Sequence, residues 1–312
     1  MSFHALISFL ILWFSIFVLY RLFLKRQELL KLEGFLLTTK ESQMDTIVSK
    51  YSYNAVIEPT KNFLPFNETF IKAAYDAANT GSYLNADMIP FLLRRGCRYL
   101  DFRVQLIPND KNVPDYYVSN NGKIDDSLQL ITVLTALQKE PIDDPIIVKL
   151  RIIGNDTINQ SILSGSINDI LAKRIYNSAF TPNTNLNACK GKIVVLVENN
   201  QRMFHWRNKL LIPLDKIHTD SYSEMSSMLK PNRAFTPKAV NIVEPDGTYD
   251  NMIVRTVVSY KYQISPFQFY NKDDALDAYE NLFNHFQSAF VSLKNTETYT
   301  NSLEKEEDGG LL

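Results

Sequence analysis

The sequence predicts an α/β protein whose main body, residues 63–295, is a distorted (β/α)8 TIM-type barrel, preceded by one N-terminal transmembrane helix at 3–24. Three observations carry that prediction. Short, near-continuous apolar runs alternate with amphipathic stretches, the pattern of a parallel sheet covered on both faces. The alternation lasts for about 230 residues, close to the ~250 of such a barrel. No Gly-x-Gly-x-x-Gly turn and no Gly-x-x-x-x-Gly-Lys-Ser/Thr loop follows any run, which weakens the competing open, doubly wound nucleotide sheet.

The elements follow in order. Phe70–Ala74 reads as the first strand, with a helix near Ala86–Arg95 after it. Arg98–Leu106 is the second strand, followed by the short run Tyr116–Val118 and a helix near Leu128–Gln138. Pro145–Ile153 is apolar at Ile146, Ile147, Val148, Leu150, Ile152 and Ile153, as a buried strand requires, and a helix near Ile167–Tyr176 follows it. Lys192–Val197 is the clearest strand, and Ala239–Val243 and Tyr262–Pro266 are later ones. A helix at Asp273–Phe286 and a strand at Ser288–Leu293 complete the domain.

Phe3 to Leu24 is 22 residues of nearly unbroken apolar sequence, enough to cross a bilayer core of ~30 Å at 1.5 Å per residue. A cleaved signal peptide is the competing reading, but the basic leading region and the small-residue cleavage site it needs are missing. Arg21 lies at the end of the span, Lys25, Arg26 and Lys31 follow it and no Lys or Arg precedes it, which predicts a single-pass protein with its C-terminal domain in the cytosol. Residues 25–62 read as a juxtamembrane helix and polar linker, and 296–312 as an acidic disordered tail. With 33 basic and 34 acidic residues the chain has no electrostatic case for nucleic acid. Its two cysteines, Cys97 and Cys189, read as buried thiols rather than a disulfide framework.

Several stretches, taken in order, carry a family resemblance: Arg94-Arg95-Gly96-Cys97-Arg98, Asp144-Pro145-Ile146-Ile147, Lys190-Gly191-Lys192-Ile193-Val194-Val195 and Tyr262-Gln263-Ile264-Ser265-Pro266-Phe267-Gln268-Phe269. Together they resemble the two sequence blocks of phosphoinositide-specific phospholipases C. They also look like a divergent set of such proteins in large DNA viruses, which implies a virion membrane as one setting. The resemblance implies a distorted catalytic barrel in which two histidines act as base and acid and one calcium ion sits on strand-end carboxylates.

The departures from that pattern fall on the chemistry. By the resemblance, the first histidine position holds Tyr75 and the second falls near Asn120. The metal-ligand positions hold Asp76, Asp101, Arg103 and Arg151, and the phosphate-gripping lysines fall on Leu196 and Glu198. The residues agree on their own terms. None of the four histidines (His4, His205, His218, His285) lies on the first two strand ends, and Tyr75 carries a phenol of ordinary pKa about 10, a poor base at neutral pH. Two aspartates beside two arginines make a neutral cluster, whereas calcium seeks six to eight oxygens. The candidate cleft cluster is therefore Asp76, Asp101, Arg103, Arg151 and Glu198, with the guanidinium groups cross-linking the carboxylates and the calcium site lost. The alternative within the cluster leaves one arginine free for a phosphate.

No Gly-x-Ser-x-Gly elbow and no zinc-spaced Cys/His set supports another hydrolase class. Asp143-Asp144 reads as a turn ahead of a strand, and His205-Trp206 as a packed aromatic patch. The expectation is a membrane-anchored, catalytically inactive phospholipase C-like protein that binds or scaffolds at a membrane without a cofactor. Its candidate partners are a lipid head group or phosphate, or a protein. The runner-up is an active, metal-independent phosphodiester hydrolase acting on phospholipid or a phosphorylated polyol.

Overall fold

A computed structural model of the chain describes residues 63–108, 114–120, 123–153, 159–207, 210–228, 239–246 and 251–309, together with 17, 20, 21, 44, 45, 47, 48 and 51. The expected membrane span at 3–24 lies almost wholly outside them. Among the described residues no helix is long and apolar enough to cross a membrane.

The centre of the fold is four parallel strands: β2 (Ala73–Ala74), β3 (Tyr99–Pro108), β6 (Ile146–Ile152) and β7 (Ile193–Asn199). β6 and β7 are buried along nearly their whole length, as their continuous apolar sequences require. Each flank then turns antiparallel. β4 (Pro114–Asn120) and β5 (Lys123–Gln129) extend β3 as a meander, and β8 (Arg202–Arg207) and β9 (Leu210–Pro213) extend β7. The result is an eight-stranded mixed sheet. The wholly parallel sheet expected from the sequence is corrected in these flanks, where β4 is only partly buried, at Tyr116, Val118 and Ser119.

The predicted first strand is two. β1 (Thr69–Ile71) runs antiparallel to β12 (Phe290–Ser292), and the chain breaks at Lys72 before β2 joins β3. β10 (Ile217–Ser221) pairs parallel with β11 (Val240–Glu244). Ile264 bridges Ile71 on one side and Ile242 on the other, while Phe267 bridges Ala74. Parallel neighbours thus run β7–β6–β3–β2, through 264–267, to β11 and β10.

That arc is curled. β6 and β11 are four steps apart, which would separate them by roughly 19 Å in a flat sheet at about 4.8 Å per strand. Yet Lys149 of β6 reaches Glu244 of β11 at 2.5 Å. Among the described residues no ladder joins β10 to β7.

Helices cover the outer face. α1 (Met88–Arg94) follows β2, and α2 (Leu130–Lys139) and α3 (Gln160–Leu171) pack on each other beside β4. Further along come α4 (Tyr222–Ser227), α5 (Val254–Ser259) and α6 (Asp274–Phe286). The tail expected to be disordered from residue 296 is a helix as far as it is described, α7 (Leu293–Gly309), anchored by the buried Thr296 and Thr300 one turn apart, while 310–312 lie outside the described residues.

Within the arc, period-two alternation puts Ala73, Tyr99, Ile147 and Val194 on the inner face, level with one another. With Ile217, Val240, Ile242 and Ile264 they belong to one buried apolar cluster. The next inward positions toward the strands' C-terminal ends carry charge. The apolar core fills the lower part of the arc, and the ionisable residues crowd its mouth.

Candidate functional site

Strand register assembles the mouth. Asp101 pairs with Lys149, and Arg103 with Arg151, across β3 and β6; Arg151 pairs with Glu198 across β6 and β7. Residues two apart on a strand share a face, so Asp101 and Arg103 point inward together, as do Lys149 and Arg151. Tyr75 and Asp76 follow directly on β2, and Glu244 ends β11.

The side chains form one connected charge network. Arg151 Nη2 lies 2.7 Å from both Asp101 Oδ2 and Glu244 Oε1, and its Nε is 3.7 Å from Glu198 Oε2. Lys149 Nζ lies 2.7 Å from Glu198 Oε2 and 2.5 Å from Glu244 Oε1, and is itself wholly buried. Arg103 Nε stands 2.9 Å from Asp76 Oδ1, an ion pair whose angle falls short of a hydrogen bond, so both buried oxygens of Asp76 lack a hydrogen-bond donor among the described residues. The Tyr75 hydroxyl accepts from Arg103 Nη2 at 2.8 Å and from Arg151 Nη1 at 3.4 Å.

Burial and charge compete at each group. Burial pushes Asp76 up to about 7, and the Arg103 charge only partly restrains it. Burial likewise raises Asp101, against the pull of Arg151. At Glu244 burial is overcome by Lys149 and Arg151, which hold the carboxyl below its ordinary range. Burial would lower Lys149 and Arg151, but their carboxylate neighbours raise both. The Tyr75 phenol is raised, first by burial, so both guanidinium groups meet it as a neutral hydroxyl.

The cluster of five expected from the sequence converges, and Asn120 stands outside it. Asn120 lies on the β4–β5 meander and donates to Asp126 Oδ2 at 3.1 Å. The described histidines lie elsewhere. His205 is buried against Tyr176 and Phe180 with Nε2 on the Ser178 carbonyl, His218 is exposed on β10, and His285 packs on Tyr299. Asp144 binds Arg98 at 3.0 Å, and the Asp143 carbonyl accepts from the Gly191 amide.

Three members of the site were not assigned to it from the sequence. Lys149 and Glu244 had a signal: Lys149 interrupts an apolar strand two residues before Arg151, and Glu244 ends a Val-Asn-Ile-Val run. Tyr270 had none. Its hydroxyl is buried without a hydrogen-bond partner among the described residues, and its phenol is raised by burial and then by the charge of Asp76.

The Arg-Gly-Cys-Arg run does structural work below the mouth. Gly96 takes φ 88°, a turn open to glycine, and brings Cys97 back into the core. Arg95 forks onto Glu280 of α6, and Arg98 holds Asp144 and the Leu93 carbonyl.

No family model and no curated protein matches the chain. Solved structures do. PLC21 of L. pealei aligns with a TM-score of 0.59 at 11% identity, over 75% of this chain and 38% of that one. PLC21 of S. officinalis gives 0.57 at 10%, over 75% and 37%. A calcium-dependent phosphoinositol-specific phospholipase C from a Pseudomonas species gives 0.51 at 10%, over 77% of this chain and 99% of that one. The chain thus spans little more than a third of the two PLC21 proteins and nearly all of the bacterial enzyme. At these identities the likeness is one of architecture: residues of this chain adopt a fold like that of phosphoinositide-specific phospholipases C.

Proposed function

We propose that this chain is a phospholipase C-like protein without turnover, anchored by residues 3–24 and working as a binding or scaffolding module at a membrane surface. One observation carries the reading: Arg103, Arg151 and Lys149 engage all four carboxylates of the mouth. Calcium takes six to eight oxygens, whereas here each carboxylate already faces a guanidinium or ammonium group. The donor set does not fit that ion. Acid–base chemistry lacks its usual agent as well. No described histidine touches the cluster, and the Tyr75 hydroxyl accepts hydrogen bonds from two cations. The basic flank after residue 20 supports a cytosolic domain, and the viral resemblance supports a virion membrane as its setting. A lipid head group, a phosphate or a protein is the partner class; nucleic acid is not.

The test is cleavage of phosphatidylinositol and of a generic phosphodiester by the full chain, with and without calcium, beside an Arg103→Ala/Arg151→Ala variant. No turnover and no rise of Tm with calcium is the expected result for the native protein. Turnover that the double variant loses would overturn the reading.

A second reading has one observation in its favour. Burial pushes the Asp76 carboxyl up to about 7, and it receives no hydrogen bond among the described residues, as a general base held in reserve would. In that case the chain is a metal-independent phosphodiester hydrolase in which Asp76 takes the proton and Arg103 or Arg151 meets the phosphate. Activity that survives purification and disappears in Asp76→Ala would establish it.

A further inference from the structure

The loop 267–272 meets the cleft on one side and Tyr51 on the other. Its start is fixed to the sheet: Phe267 donates to the Ala73 carbonyl at 3.1 Å, and the Tyr75 amide donates to the Phe267 carbonyl at 2.9 Å. Two residues on, consecutive side chains diverge. Phe269 is buried against Tyr51, with ring centroids 6.5 Å apart. Tyr270 turns the other way, and its ring lies over Gly81 in the turn after β2, where a Cβ would stand 3.6 Å from Tyr270 Cδ2. The phenol oxygen ends buried with no partner among the described residues. Tyr270 therefore spans from its own loop to the Asn79–Gly81 turn, whose Asn79 amide donates to the Asp76 carbonyl at 2.7 Å, and its phenol feels the charges of Asp76 and Arg103.

Tyr51 grips the opposite side of that loop. It comes from the stretch expected to be a polar linker, yet it is 9% exposed. Its hydroxyl donates to the Phe269 carbonyl at 2.5 Å. Its ring takes the edge of Phe91 at 5.3 Å, and the Arg95 guanidinium lies 4.2 Å from the ring centroid. Arg95 cannot drift, because Glu280 holds it through two nitrogens and also binds Lys72 Nζ at 3.1 Å. A carbonyl capped from one side and a ring laid over the rim from the other make a lever one residue long.

We propose that Tyr51 is a latch that holds loop 267–272 in place and keeps Tyr270 closed beside the Asp76–Arg103 pair. Releasing Tyr51 uncaps Phe269, frees the loop and opens the rim to solvent or ligand. Tyr51 and Tyr270 are positioning residues; neither is assigned chemistry. The inference does not depend on whether the cleft turns anything over, so it survives either result of the cleavage assay.

The test uses the full chain in mild detergent. Hydrogen exchange is followed across 267–272, and nitration of Tyr270 by tetranitromethane is mapped by mass spectrometry, with Tyr222 on α4 as internal reference. Tyr51→Phe removes one buried hydrogen bond and should speed exchange of the loop about fivefold. Tyr51→Ala, which also removes the ring, should speed it further and make Tyr270 nitratable while Tyr222 is unchanged. Leu163→Ala, a core truncation on α3, controls for general loosening. Loop protection unchanged in Tyr51→Phe and Tyr51→Ala, or raised no more than in Leu163→Ala, overturns the proposal. Should Tyr51→Ala fail to fold, the Tyr51→Phe comparison decides alone.

Discussion

Asp76 sits at the end of β2 in the left-handed backbone region, φ 44°, which aspartate tolerates better than most residues. That turn aims its amide-linked neighbour Ala77 back at the Asp101 carbonyl, 2.9 Å away, and sinks its own carboxyl among Arg103, Asp101, Arg151 and Glu244. The carboxyl is raised to about 7, above an unfolded value of about 3.9. Between those two values the folded protein binds the proton and the unfolded chain does not, so this group's contribution to stability falls as pH rises through the window. The full span is worth on the order of 4 kcal/mol. Asp76→Asn should therefore be more stable than the native protein at pH 8 and nearly equal to it at pH 4. A urea titration at both pH values measures it; equal differences at the two would contradict the burial account.

Elements are tied together by buried charge rather than by apolar contact alone. The break between β1 and β2 at Lys72 looks like a defect in a strand until its side chain is followed. Lys72 leaves the apolar face and donates to the Arg95 carbonyl at 2.8 Å and to Glu280 of α6. Glu280 thus joins the helix to two cations from the first third of the chain, with Phe70 stacked on Phe283 and Phe267 stacked on Tyr279 of the same helix. Asp273 starts that helix by accepting from the Leu276 amide at 2.8 Å. Removing one partner of such a buried set leaves the others uncompensated, so Glu280→Gln should cost about 3–5 kcal/mol. Guanidinium unfolding of the variant checks this, and a loss below 1 kcal/mol would mean that Lys72 and Arg95 find water instead.

At the scale of the whole molecule, Lys149 is the counterpart of Glu280 inside the arc. It joins β6 to its neighbour β7 through Glu198 and to β11 through Glu244, so its ammonium group, together with Arg151, closes the curl between β6 and β11, which are not neighbours. Lys149→Met keeps the volume and removes the charge, leaving Glu198 and Glu244 with Arg151 alone. The expected loss is about 3–5 kcal/mol, and a Lys149→Met/Glu244→Gln pair should lose less than the sum of its single changes. Additive losses measured by equilibrium unfolding would show that the two residues do not act together.

The strand interiors were legible because a buried parallel strand has to be apolar on both faces, and Ile146–Ile152 and Ile193–Asn199 are nearly so. The five cleft residues were legible through the family resemblance, which put them at strand ends; Asp101 and Arg103, two apart on β3, share a face as a strand requires. The chain between Arg202 and Ser221 was not read as strands, since an edge meander need bury only one face and its pattern is faint. Lys149 and Glu244 carried a local signal whose meaning depended on which strands face each other. Nothing local marked Tyr270 and Tyr51 for the cleft. Local sequence alone determined where the charges sit along each strand. Only tertiary structure decided which of them meet, because curvature brings together residues 95 positions apart, and the pairing of each carboxylate is set by that closure.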